Sequence, residues 1–272
     1  MKLKRIAPLA PALRPGLSPG RNLVGVPVTS WLNYRGFTRD TIPGLVTWLK
    51  ADALSQADGT AVSSWTDSAV TGNAFTQATG SKQPTFKTGI IAGRPVVRFD
   101  GIDDGLASAA TVDLSAATGI TVFAVMSATA GADEVLAEMS ADFNAQTDSW
   151  VVHRHSANAV EALTKGATYA AFTSTRTLTT TPRIVVASFD RTLATNEATV
   201  WVDGDSGGTR PFNTDTSGTF GNRTVYLGAR NAASLFLNGD VAEFGIYSVA
   251  LTAGQLVTLQ NYLSAKFGIP IA

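Results

Sequence analysis

The chain has no cysteine, which excludes disulfides, thiolate metal sites and a cysteine nucleophile. The redox compartment therefore leaves no mark on the sequence. Histidine is scarce as well, with only His153 and His155. Charged residues make up 15 %, against roughly 25 % in ordinary soluble proteins. Lys plus Arg and Asp plus Glu are 21 each, so no global bias favours nucleic acid or a membrane surface. No stretch approaches the ~18 apolar residues of a membrane span. Walker and Rossmann phosphate loops are missing, and so is a Gly-x-Ser-x-Gly nucleophile elbow. Residues 1–5 are basic like the start of a signal peptide. Pro8, Pro11 and Pro15 break the apolar stretch that should follow, so no signal peptide is expected.

What is present is unevenly distributed. Residues 1–42 hold seven basic residues against Asp40 alone, a net charge of +6 that the remainder offsets. Pro8, Pro11, Pro15, Pro19 and Pro27 remove backbone donors and fix φ, which favours extended chain over helix or central strand. A free disordered tail usually lacks large apolar residues, yet this segment has many. It therefore reads as a basic, Pro-rich arm that lies on a partner, in preference to the alternative that it wraps its own domain. The expected contact residues are Lys2, Lys4, Arg5, Leu9, Leu13, Arg14, Leu17, Arg21, Trp31, Tyr34 and Arg35. The spacing of its charges between apolar residues suits a protein groove better than nucleic acid.

Residues 43–272 are long enough to bury a large core. They read as short strands separated by turns. Apolar, β-prone runs occupy 45–49, 62–65, 95–99, 120–126, 150–152, 183–189, 198–202, 224–227 and 239–247. Asp203-Gly204 is a hairpin signal. One helix is expected, at the end. Thr252 and Gln255 form a capping box, and Leu251 staples to Leu256. Leu256, Leu259, Leu263 and Phe267 share one face; Gly268 and Pro270 stop the helix. The fold class expected is all-β: a two-sheet antiparallel jelly-roll sandwich with an extended N-terminal arm and one C-terminal helix.

Several phrases carry a family resemblance. They are the opening strand at 42–52, the turn Trp65-Thr-Asp-Ser68 and, most distinctive, Gly93-Arg-Pro-Val-Val-Arg-Phe-Asp-Gly101. The hairpin at 198–204 and the closing segment at 239–251 with its helix complete the set. In this order they resemble the concanavalin A-like lectin/glucanase superfamily, in its laminin-G-like branch, over residues 42–270. That resemblance implies a binding or structural module, of the kind found in secreted bacterial proteins and in tailed-phage virions. Some relatives are glycosidases and some carry calcium.

The residues fit these chemistries unequally. The superfamily's glucanases place carboxylates on one strand as Glu-x-Asp-x-x-Glu, and none of the five glutamates here stands in that pattern. On a regularly alternating strand Glu134 and Glu138 would share a face, which keeps hydrolysis as an alternative. Asp100, Asp103 and Asp104 offer oxygen ligands for calcium, but Asp and Gly also simply make turns, and that reading is preferred. His153 and His155, at i and i+2, point the same way on a strand, with Arg154 on the other face. Two ligands are too few for a metal, so a solvated strand is expected. The tryptophans sit inside strand patterns and read as core. Loops 213–217 and 230–234 are polar enough to hold a sugar and read equally well as ordinary turns.

Arm and resemblance together imply a non-enzymatic virion structural protein, decorating a capsid or forming part of a tail appendage. Residues 1–42 would bind other virion proteins, the jelly roll would face outward toward host glycans, and a homo-oligomer is expected. No cofactor, nucleic acid or membrane is expected. The alternative is a secreted or cell-surface carbohydrate-binding module or adhesin; a glycoside hydrolase is the second alternative.

Overall fold

The computed structural model describes residues 36–69, 72–129, 133–140, 143, 145–166, 168–212 and 217–272. The expected arm contacts, Lys2 through Arg35, lie outside the described residues. The longer strands are β1 (Leu45–Lys50), β2 (Thr85–Ile91), β3 (Arg94–Asp100), β4 (Leu106–Ser108) and β5 (Gly119–Ala128). They continue as β6 (Glu134–Met139), β7 (Ser149–Arg154), β8 (Ala159–Lys165) and β9 (Tyr169–Thr177). The last are β10 (Arg183–Asp190), β11 (Ala198–Val202), β12 (Val225–Leu227) and β13 (Asn238–Tyr247), followed by helix α1 (Ala253–Phe267).

The strands form two antiparallel sheets. A seven-stranded sheet runs β11-β10-β5-β13-β3-β2, with β1 also paired to β13. β13 has two partners on one edge: β3 pairs with residues 238–241 and β1 with residues 243–247. A bulge at Ala242 separates the two pairings. A nine-stranded sheet runs β9-β8-β7-β6-β12-β4, extended at its ends by two-residue strands. The jelly-roll expectation holds for the described residues.

Alternation along β5 explains its sequence. Ile120, Val122, Ala124 and Met126 enter the core between the sheets, while Phe123 and Val125 turn outward beneath α1. Both faces are covered, so every position is buried and the strand reads as an unbroken apolar run. The inter-sheet core also takes Trp65, Phe75, Phe99, Trp150, Phe172, Phe189 and Phe244. Gly245 makes room for Phe123: a Cβ there would meet the ring at 2.4 Å.

Helix α1 forms as its sequence requires. Thr252 and Gln255 make the capping box, and Gly268 ends the helix at φ 65° with its amide donating to Ser264 O at 2.8 Å. Leu256, Leu259, Tyr262, Leu263 and Phe267 are buried on the seven-stranded sheet. Each such side chain contributes roughly 1.5–3 kcal/mol of burial. A polar clamp fixes the docking. The bulge at Ala242 leaves Glu243 facing α1, where its carboxylate accepts from Trp48 Nε1 at 2.6 Å and Tyr262 OH at 2.8 Å. Lys266 Nζ completes it at 2.7 Å and reaches Asp52 at 3.0 Å. Phe37 stacks on Tyr262 with centroids 4.1 Å apart, and Ile42 is buried in the same cluster. Among the described residues, Phe37 and Ile42 are thus packed with the body.

A second rivet crosses the sandwich. Arg191, just past β10, is buried and donates to Thr164 Oγ1, Ser149 O, Lys165 O and Thr219 O. Its guanidinium lies 4.0 Å from the Phe220 ring centroid. One side chain from the seven-stranded sheet thus ties β7 and β8 of the other.

Candidate functional site

Helix α1 packs on the outer face of the seven-stranded sheet, and among the described residues no helix packs on the outer face of the nine-stranded sheet. Registers among β7, β8 and β9 set what it presents. One outward row aligns His153 with Glu161 and Thr173; the next aligns Val151 with Leu163 and Ala171; a third pairs Lys165 with Tyr169. The face is graded from polar to apolar to aromatic.

At the polar end, His153 Nε2 lies 2.9 Å from Glu161 Oε2, and Thr173 Oγ1 donates to Glu161 Oε1 at 2.7 Å. Burial alone would raise the Glu161 pKa. The hydrogen bonds from His153 and Thr173, with the charge of the two histidines, outweigh it and hold the carboxyl below its ordinary value. His155, one residue beyond β7, sets Nδ1 at 3.8 Å from Glu161 Oε2 and 3.4 Å from Asp133 Oδ1. The ligating atoms of His153, His155 and Glu161 lie within 4.8 Å of one another. The sequence expectation of a solvated strand is thus overturned: His153 is nearly buried and bonded, and the strand pairing supplies a third polar group. Glu161 was invisible as a partner because it enters from β8, and only cross-strand register brings it opposite His153. Arg154 points to the other side, as alternation demands, where it pairs with Glu134 and donates to Asn158 Oδ1 at 2.7 Å.

The apolar middle consists of Val135, Val151 and Leu163, covered by Phe143 and Leu235. At the aromatic end, Tyr169 lies 5.8 Å from Phe143 and 6.2 Å from Phe212 between centroids. Phe212 is 55 % exposed and Lys165 Nζ sits 5.0 Å above the Tyr169 ring. Phe212 stands between Pro211 and Asn213 outside any apolar run, so nothing in its sequence neighbourhood marked it.

The two carboxylates kept for hydrolysis do not come together. A bulge between Val152 and His153 in the β6–β7 ladder leaves Leu136 unpaired. It breaks the alternation, so Glu134 faces the sandwich rim while Glu138 faces outward. The shared face expected from regular spacing is lost. Glu134 meets Arg154, and its burial, the larger effect, raises its pKa against that arginine. Glu138 is fully buried between Arg230 Nε at 2.8 Å and Ser140 Oγ at 2.6 Å. Loop 230–234 therefore spends its arginine on Glu138. Loop 213–217 lies outside the described residues except for Ser217.

The acidic turn brings Asp100, Asp103 and Asp104 within 4.8 Å. Two of the three carboxylates are engaged in making the turn: Asp100 Oδ1 accepts from the amides of Ile102 at 2.8 Å and Asp103 at 3.3 Å. Asp104 accepts from the Asp100 amide at 3.0 Å. Burial, then repulsion from Asp100, pushes the Asp104 pKa up to about 6. Gly101 is required here, since its φ is +77° and a Cβ would strike Asn238 at 2.6 Å. Trp48, Trp65 and Trp150 are buried, as core. A separate cleft of about 400 Å³ opens at the rim beside Arg98 and Asp240, which satisfy each other through two bonds of 2.7 and 2.9 Å.

Residues 100–257 match the family model described as the concanavalin A-like lectin/glucanases superfamily. No curated protein matches the chain. Among solved structures, the binding domain of Paraclostridial Mosquitocidal Protein 1 is similar at 13 % identity and TM-score 0.57, over 81 % of this chain and 52 % of that one. The receptor binding domain of botulinum neurotoxin C/D mosaic serotype is similar at 9 % identity and TM-score 0.54, over 80 % and 51 %. A Trypanosoma rangeli sialidase is similar at 14 % identity and TM-score 0.55, over 90 % and 39 %. The chain spans about half the length of the first two, and at these identities the likeness is one of fold.

Proposed function

From its membership of the concanavalin A-like lectin/glucanase superfamily, we propose that the chain is a non-catalytic glycan-binding module held on a virion surface by its N-terminal arm. One observation carries the binding half. Helix α1 occludes one outer sheet face, and the opposite face joins the exposed Phe212 and the half-buried Tyr169 to polar groups on the same surface. Sugars are recognised by this combination: a ring face for the C–H side, and donors and acceptors for the hydroxyls. The divergence of Glu134 and Glu138, each held by an arginine, supports a module without hydrolysis. The virion half rests on the arm: net +6 over residues 1–42, with Leu and Trp between prolines, suits an acidic, partly apolar shell.

The binding test is a glycan array with the full chain and with Tyr169→Ala and Phe212→Ala. Stacking is worth ~1 kcal/mol or more, so each substitution should weaken a bound glycan about fivefold or more while circular dichroism is unchanged. Binding indifferent to both substitutions would remove this face from the reading. The attachment test is incorporation into particles. Charge reversal of Arg14 and Arg21 to Glu should abolish incorporation and leave glycan binding intact, whereas a secreted adhesin would be indifferent to the arm.

A further inference from the structure

The polar end of the open face holds a group of atoms that sugar recognition does not require. His153 and His155 are the only histidines of a cysteine-free chain, and both converge on Glu161. His155 Nδ1 is buried without a hydrogen-bond partner among the described residues, although the ring itself is half-exposed. A buried ring nitrogen left unbonded costs free energy unless something fills the space before it. Thr173 occupies Oε1 of Glu161 and so turns Oε2 toward both imidazoles.

We propose that His153 Nε2, His155 Nδ1 and Glu161 Oε2 bind a divalent transition-metal ion, zinc by their donor chemistry, with Asp133 as the fourth ligand. The spacing supports it. Zinc bonds of about 2.0–2.1 Å in a tetrahedron put neighbouring ligand atoms about 3.3 Å apart. The separations here bracket that edge: 2.9 Å from His153 to Glu161, 3.8 Å from His155 to Glu161 and 3.4 Å from His155 to Asp133. The ion would draw the first pair apart by a few tenths of an ångström and the second together. Two neutral imidazoles and two carboxylates suit zinc better than calcium, which prefers six to eight oxygens. Thr173 acts as a positioning residue, as outer hydrogen bonds to ligands do elsewhere. The acidic turn at Asp100 lacks any nitrogen donor, and Asp100 and Asp104 already accept from backbone amides, so no metal is assigned there. The inference stands on the geometry alone and does not depend on glycan binding.

The experiment is zinc titration of the full chain at pH 7.5, free of any affinity tag, by calorimetry and by thermal shift. Because histidine occurs at these two positions only, any imidazole-dependent zinc binding reports this site. One zinc per chain is expected, with cobalt giving a tetrahedral absorption band. His155→Ala, at a half-exposed position that should not disturb folding, is expected to weaken zinc at least 100-fold. Thr173→Val should weaken it about 10-fold, and Asp103→Asn should leave it unchanged. The proposal is overturned if the wild type takes up no zinc at 0.1 mM, or if binding persists undiminished in His155→Ala. A calcium-induced thermal shift that Asp103→Asn removes, without one from zinc, would likewise move the site to the turn.

Discussion

Single side chains set the largest local energies in this molecule. Arg191 satisfies its guanidinium with backbone carbonyls, a hydroxyl and an aromatic face, and burial still lowers its pKa to about 10. It remains charged at neutral pH. Arg191→Met removes a charge whose solvation has been replaced by carbonyls of Ser149, Lys165 and Thr219, and strands those acceptors. The expected loss is about 3 kcal/mol or more, read from urea unfolding. Asp104 works in the opposite direction. Its pKa rises from 3.8 to about 6 on folding, through burial first and Asp100 second. Between those pH values the unfolded chain gives up its proton while the folded chain keeps it, so stability falls as pH rises. Asp104→Asn keeps the acceptor for the Asp100 amide and deletes the titration. The variant should gain on the wild type between pH 4 and pH 7; an equal difference in unfolding midpoint at both would refute the assignment.

Among the elements, α1 and the β7–β8 hairpin are the most open to test. Lys266 and Glu243 form a buried pair beneath the helix. Lys266→Met leaves the Glu243 carboxylate without its cation and should cost about 3–5 kcal/mol. Adding Glu243→Gln should restore a large part, because the amide oxygen still accepts from Trp48 and Tyr262. Non-additivity in a double-mutant cycle is the readout. In the hairpin, Ala157 and Asn158 adopt φ of 60° and 64°. A left-handed alanine costs about 1 kcal/mol, so Ala157→Gly should raise the unfolding midpoint. These elements also mark how far the sequence could be read. β10 and β11 announce themselves through Val, Ile, Phe and Trp, and α1 through its capping box and apolar spacing. β6, β8 and β9 do not. Their residues, EVLAEM, AVEALTK and YAAFTSTRT, mix good helix formers with small polar groups, and only pairing within a wide sheet makes them strands. The bulge at Leu136 has no sequence signature, so Glu134 and Glu138 seemed to share a face. The candidate site inherits the same blindness, since its row crosses three strands whose register the sequence does not state.

Over its described residues the molecule is a sandwich with α1 packed on one outer face and the side chains of Phe143 and Leu235 packed on part of the other. Its two sheets share a single core and the Arg191 rivet, so denaturant should unfold residues 36–272 in one transition with coincident fluorescence and circular dichroism. Removing residues 1–35 should leave that midpoint unchanged; a large drop would show that the arm supports its own body and would count against a role in attachment. The jelly-roll class was legible because turn signals and apolar runs alternate at short spacing. The sheet that α1 covers was not, because that choice follows from tertiary packing.

β1 and β13 meet across nearly the full length of the body, and α1 comes later still. Loop closure over such a separation is slow, and the order of synthesis adds to the delay. Until the ribosome has released residues 253–267, a nascent polypeptide exposes Phe123, Val125, Ile184 and Val186, the greasy floor that the helix will cover. Stop codons placed shortly before Ala253 should therefore yield inclusion bodies rather than a shortened soluble product.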